Sequence, residues 1–189
     1  MAVITISRQW GSLGTIVANA VADRLGYRLV MRQLINQAAL RAGAPQVALA
    51  VIDELHLLGV APTAEEYQAY IQAMHAVIEE LAAQGNVVIV GRGGQAVLHE
   101  RPGVLHVRMI APLELRVERL ADRHHISLAA ARAQVRASDR ERRSYLKRFY
   151  NANVDDPALY DLVINTAHLG AETACDLVCR AVLDIEREK

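Results

Sequence analysis

Residues 3–15 read Val-Ile-Thr-Ile-Ser-Arg-Gln-Trp-Gly-Ser-Leu-Gly-Thr. The β-branched run from Val3 to Ile6 predicts a buried strand. A turn containing Gly11, Ser12 and Gly14 follows, and a helix starts near Thr15 and runs to Leu25, with Gly26 as its C-cap. Strand, glycine-bearing turn and helix N-terminus together make an anion site, because unpaired backbone N–H groups and the helix dipole converge on one spot. A complete phosphate-binding loop reads G-x-x-x-x-G-K-[ST]. In this chain Arg8 stands at the first glycine, Leu13 at the second and Gly14 at the lysine, so only Thr15 fits. The scaffold points to nucleotide phosphates, but the lysine that meets them in a complete loop is missing. Arg8 offers a positive charge from the opposite end of the loop; the alternative is a surface salt bridge. Ser7 reads as a turn hydroxyl and Trp10 as a loop-packing side chain.

Outward from this stretch, short apolar strands alternate with helices. Tyr27–Val30, Asn86–Val90, Val104–Ile110 and Leu162–Asn165 read as strands. Helices are expected over Met31–Ala42, from Pro45 to about Leu58, and from the capping box Thr63-Ala-Glu-Glu66 to about Gln84. Pro112 opens another helix to about His124, Ser127 caps one to about Arg148, and Gly170–Glu186 is the last. This alternation predicts an α/β fold with a parallel sheet between helical layers and ligands outside the carboxyl ends of the strands. Residues 31–85 carry no strand signal. They form either an inserted substrate-side segment or a plain helical layer, and the long helices at 45–84 could serve a homodimer.

Bulk properties bound the partners. At 189 residues the chain is one domain, or one domain with a small lid. Hydrophobic residues make up 52 % and aromatic residues 4 %, so the core is aliphatic. Lys+Arg and Asp+Glu both total 21, which gives no global argument for nucleic acid or an anionic membrane. No apolar run approaches the ~20 residues of a membrane span. No basic region precedes the first strand as in a signal peptide, so the expected compartment is the cytoplasm. Cys175 and Cys179 share one helix face, which suits two reduced thiols better than a disulfide.

Two further motifs carry phosphate chemistry. Val-Val-Ile-Val-Gly-Arg-Gly-Gly at 87–94 puts Arg92 just past a buried strand, between glycines that permit close approach. It reads as a phosphate contact or as an anchor to a carboxylate. In the helix after Ser127, Arg132, Arg136, Arg140, Arg143 and Lys147 fall on one stripe at ~3.6 residues per turn. Such a stripe either closes over a polyphosphate or forms a solvated face. Asp139 and Glu141 are placed to pair with neighbouring arginines, and His124 and His125 complement a helix end rather than bind metal.

The order of these motifs resembles the cytidylate kinase-like family, a branch of the P-loop nucleoside monophosphate kinases, nearly end to end. The resemblance is carried by Ile-Thr-Ile-Ser-Arg-Gln-Trp-Gly-Ser at 4–12, Val-Ile-Val-Gly-Arg-Gly-Gly at 88–94 and Ala-Pro-Leu-Glu-Leu-Arg-Val at 111–117. It is carried most specifically by Asp-Arg-Glu-Arg-Arg-Ser-Tyr-Leu-Lys-Arg-Phe-Tyr at 139–150 and Tyr-Asp-Leu-Val-Ile-Asn-Thr at 160–166. It implies a P-loop-type three-layer fold with a five-stranded parallel sheet. Its parts would be a core at about 1–30, 86–124 and 160–189, a helical monophosphate-binding segment at about 31–85, and an arginine-bearing lid at about 125–155. It implies phosphoryl transfer from ATP, with Mg²⁺, to CMP or dCMP.

Carried over by position, Gly11, Ser12, Gly14 and Thr15 would line the donor phosphates, with Thr15 the Mg²⁺ hydroxyl; Arg8 or the lid arginines would partly cover the lost lysine on the donor side. Arg92 would hold the acceptor monophosphate. Arg140 and Arg143 would bridge both phosphates, with Arg136 as a further substrate contact. Gly14 stands where true cytidylate kinases carry lysine; the kinase-like branch often reads Gly-Ser-Gly-Gly here, and this chain further replaces a loop glycine by Leu13, a residue that tolerates positive φ poorly. It departs again at Val30-Met31-Arg32, where the branch tends to carry an acid. Two functions follow: a monophosphate kinase, or a nucleotide-binding or regulatory module that keeps the fold without the chemistry.

Overall fold

The N-terminal β-branched run forms β1 (Val3–Arg8), the central strand of a parallel sheet. Its neighbours are β3 (Val87–Val90) and β4 (Val104–Ile110), and Val3 pairs with both Val87 and Val104. With β2 (Arg28–Met31) and β5 (Leu162–Asn165) at the edges, the order is β2-β3-β1-β4-β5. This computed structural model describes residues 1–31, 35–36, 40, 43 and 63–187. The helix expected from Pro45, most of the one expected over Met31–Ala42, the departure at Arg32 and the Glu66 side chain of the capping box lie outside the described residues.

Alternation along β1 assigns each side chain to a face. Ile4 and Ile6 enter a core with Val17, Val21, Val107 and Val178, built from α1 (Gly14–Leu25) and α6 (Ala171–Arg187). Val3 points the other way, toward Tyr70, Met74 and Ile78 of α2 (Ala64–Gln84). All four residues of β3 are buried, as a strand covered on both faces must be. A third cluster, Val117, Leu120, Ala121, Ala131 and Val135, joins α4 (Leu113–His124) to α5 (Leu128–Tyr150). The element between, α3 (Gly94–Val97), is a single turn that carried no sequence signal. Ser127 caps α5 as expected, its Oγ accepting from Ala130 N at 3.2 Å. The helix continues two residues beyond Arg148 and ends at Asn151 in the left-handed conformation.

Cys175 and Cys179 are free thiols 3.9 Å apart on one face of α6. Among the described residues no helix is long and apolar enough to cross a membrane.

Two buried polar pairs cross from β1 to β4: Arg108 Nη1 donates to Ser7 Oγ at 3.1 Å, and Thr5 Oγ1 and His106 Nδ1 lie 2.7 Å apart. Burial pushes the His106 imidazole below its ordinary value, against a partial pull from Asp161. The folded protein therefore holds His106 neutral where the unfolded chain, with a pKa of about 6.5, takes up a proton. That contribution is complete above the unfolded value and is lost as pH falls through it. The half-buried His75, lowered chiefly by burial, acts in the same direction. The urea midpoint is expected to drop between about pH 7 and 5, with a shallower drop in His106→Gln. An unchanged slope in that variant would exclude His106 as the source.

Candidate functional site

Parallel pairing brings the ends of β1, β3 and β4 to one edge, so the loops that follow them meet there. After β1 the chain turns through Gln9–Leu13. Ser12 is fully buried; its N and Oγ both donate to Gln9 O, at 3.3 and 2.8 Å. The Ser12 hydroxyl thus closes the turn from inside. Three consecutive carbonyls are held from the α4 and β5 side. Arg116 Nη1 donates to Trp10 O at 3.5 Å, Arg119 Nη1 to Gly11 O at 3.2 Å, and Thr166 Oγ1 to Ser12 O at 3.2 Å. In a trans peptide the next N–H points opposite to each carbonyl, so the amides of Gly11 and Leu13 face away from these anchors. Leu13 sits at φ 61°, ψ 2°, a left-handed conformation that costs a leucine roughly 1–2 kcal/mol. The loop adopts the positive φ that leucine resists because its neighbours' carbonyls are fixed. Trp10 packs on the α4–α5 cluster, edge-on to His124.

Arg8 leaves the end of β1 and crosses the site. A Cβ placed on Gly14 would lie 2.5 Å from Arg8 Cβ and 3.2 Å from Met109 Cβ. A Cβ on Gly91 would lie 2.5 Å from Arg8 Nη1. The stem of Arg8 therefore rests on Gly14 and its guanidinium on Gly91.

Arg92, in the loop after β3, is 9 % exposed and left-handed at φ 53°. Its Nε donates to Asn36 Oδ1 at 3.0 Å, and its guanidinium carbon lies 5.8 Å from the Tyr145 ring centre. Tyr150 donates to Arg92 O at 3.3 Å and stacks on His75 with ring centres 5.5 Å apart. Burial drives the Tyr145 and Tyr150 hydroxyls well above their ordinary range, so both stay protonated.

The arginine stripe of α5 divides. Arg132 is bound by Glu114 of α4 and turns out of the site. Arg136, Arg140 and Arg143, with Leu113, Arg116 and Asp139, line an open cavity of about 400 Å³. Arg143 also donates to Asp155 Oδ2 at 2.9 Å, and Asp155 Oδ1 accepts from Arg108 at 2.6 Å. Burial alone would raise the Asp155 carboxyl; hydrogen bonds from Arg143 and the charge of Arg108 overcome it and hold it below its usual range. Arg8, Arg108, Arg142 and Arg143 meet along one narrow crevice. The structure thus gathers Arg8, Arg143 and the loop glycines and sets Arg136 and Arg140 beside them.

Sequence reasoning missed Arg108, Arg116, Arg119 and Asp155. Arg108 had left a trace, since a charged residue inside the apolar run Val104–Ile110 must be paired.

A resident Mg²⁺ fits these residues poorly. Among the described residues no three His, Cys, Asp or Glu side chains cluster. Asp139 and Asp155, the carboxylates at the cavities, both accept from arginine. Thr15 is exposed at the first turn of α1 and is the hydroxyl available there.

A profile of the cytidylate kinase-like family matches residues 3–168. The cytidylate kinase of Ignicoccus hospitalis is 31 % identical over 183 residues, covering 97 % of this chain and 100 % of that one. An uncharacterized protein from Eubacterium ventriosum superimposes with a TM-score of 0.77 at 20 % identity, covering 96 % of this chain and 98 % of the other. Shikimate kinase from Acinetobacter baumannii, solved with shikimate, superimposes at 0.56 and 16 % identity, covering 97 % and 94 %.

The bidentate pair of Arg116 with Asp139, at 3.0 and 2.9 Å, fastens α5 to α4. Arg116 is 5 % exposed and Asp139 15 %. Asp139→Ala is expected to cost about 3–5 kcal/mol, because it strands a buried guanidinium. The Arg116→Met, Asp139→Leu pair is expected to cost much less. Urea unfolding of the single and double variants measures both.

Proposed function

The chain belongs to the cytidylate kinase-like family, and on that premise we propose that it transfers a phosphoryl group from ATP to a pyrimidine nucleoside monophosphate such as CMP or dCMP. The observation that supports this reading is the convergence at one sheet edge of a phosphate turn, Arg92 and the α5 arginines. An oxygen of the acceptor monophosphate attacks the γ-phosphorus. The bond to the β–γ bridging oxygen breaks, and ADP and a nucleoside diphosphate leave. Little covalent help is needed; alignment and charge neutralisation lower the barrier.

Each group has a role in that step. The amides around Gly11, Gly14 and Thr15 receive donor phosphates. Arg92, its plane fixed by Asn36 and Tyr145, holds the acceptor phosphate. Arg140 and Arg143 neutralise charge across the two phosphates, and Arg136 extends the acceptor side. Mg²⁺ brought in with ATP would shield phosphate charge, and Thr15 would be the hydroxyl to meet it, since such ions keep most of their waters and bind through substrate phosphates.

Gly14 favours a second reading, a nucleotide-binding or regulatory module without turnover, because the lysine position carries no side chain. Purified protein given ATP, Mg²⁺ and a panel of monophosphates is expected to form diphosphate with CMP or dCMP. Arg92→Ala and Arg140→Ala are each expected to lower kcat/KM by about 10²-fold or more. Nucleotide binding without diphosphate formation would support the second reading. Absence of both overturns each of them.

A further inference from the structure

From the path of Arg8 we infer that this side chain holds the donor phosphates in place of the lysine missing at position 14, so that the loop's cation stands at the end of β1 instead of the start of α1. The inference rests on the phosphotransfer reading above.

Three observations carry it. The first is mutual exclusion. A Cβ on Gly14 would sit 2.5 Å from Arg8 Cβ and 3.0 Å from Arg8 Cγ. Side chains at positions 8 and 14 exclude each other here, so an arginine at 8 and a lysine at 14 cannot both be present in this backbone. The second is destination. Arg8 Nη1 comes within 2.5 Å of where a Cβ on Gly91 would be, which puts the guanidinium beside the loop that carries Arg92. The stem of Arg8 thus starts beside the first residue of α1 and its charge ends beside the residue that precedes Arg92. The third is charge. Arg8, Arg108, Arg142 and Arg143 share one crevice with Asp139 and Asp155. Arg8 thus stands in a part of the site dense in arginine, next to the cavity lined by Arg136, Arg140 and Arg143. Arginine also suits the task, since its planar fork takes two phosphate oxygens at once.

A pinning role for Arg8, joining β1 to the Gly91 loop, makes different predictions. Phosphate binding needs the charge, and a lysine at position 14 can supply it once Arg8 is gone. The full-length protein and its Arg8→Gln, Arg8→Gly and Arg8→Gly/Gly14→Lys variants are compared in two assays. One is calorimetric titration with inorganic tripolyphosphate; the other is diphosphate formation from ATP and CMP. Arg8→Gln is expected to bind tripolyphosphate about tenfold more weakly or worse and to lose about 10²-fold in kcat. The Arg8→Gly/Gly14→Lys pair is expected to recover about tenfold or more of the affinity that Arg8→Gly loses. Gly14→Lys alone, with Arg8 in the way, is expected to bind worse than wild type.

Unchanged affinity and rate in Arg8→Gln overturn the inference and leave the phosphotransfer reading standing. A loss that the double variant does not recover assigns Arg8 to packing and overturns the inference as well. Wild-type protein that binds tripolyphosphate through Arg8 but makes no diphosphate overturns the phosphotransfer reading alone. Wild-type protein that binds no tripolyphosphate overturns the inference.

Discussion

Arg116 donates from all three of its guanidinium nitrogens. Nε reaches Ala111 O, Nη1 reaches Trp10 O and Asp139 Oδ1, and Nη2 reaches Asp139 Oδ2. Every partner belongs to a different part of the site: the exit of β4, the phosphate turn, and the arginine helix. A buried charge is tolerated only when its donors are satisfied, so these three parts are obliged to keep their relative positions. Arg136, Arg140 and Arg143 flank Asp139 on α5 and inherit their placement from it. The turn in its left-handed, leucine-bearing form is held by the same network, through Arg116 and its neighbour Arg119.

Within that frame Arg8 explains two glycines together. Gly14 opens α1 and Gly91 lies in the loop after β3, and each lacks the room for a Cβ because the same side chain lies on it. The two glycines thus mark the room that the Arg8 side chain takes up. Leu13 fits this account, since the backbone there is fixed by carbonyl anchors and not by the freedom of a glycine.

Much of the architecture was legible in the chain. The apolar runs at Val3–Ile6, Val87–Val90 and Val104–Ile110 became strands because buried parallel strands leave no polar face to obscure the pattern. Ser127 and Gly26 marked helix ends through local chemistry that tertiary contacts did not overrule. The single turn Gly94–Val97 was too short for any periodicity. Partners were harder to read than faces. The stripe from Arg132 to Lys147 was correctly spaced, yet Arg132 is bound by Glu114 on the preceding helix, and spacing along one helix says nothing about its neighbour. Ser12 stood out by its position in the turn, but the bond from its hydroxyl to Gln9 O is visible only in the fold. The trio of Arg108, Asp155 and Arg143 depends on β4 meeting the chain after α5, a contact that only the folded topology creates.

The central strand is also the first one made. β1 is synthesised before either neighbour, and its register partners Val87 and Val104 follow only after α1, β2 and the intervening segment. At roughly 5–20 residues per second, about 5–20 s separate the making of Val3 from that of Val104. During that interval an apolar, β-branched segment is without its pairing edges. Sheets assembled from such distant segments fold slowly and expose sticky intermediates. The phosphate turn is completed later still, since Thr166, which holds Ser12 O, follows the last strand. A chain not yet extended past that residue therefore lacks one of the three carbonyl anchors that hold the turn in its left-handed form.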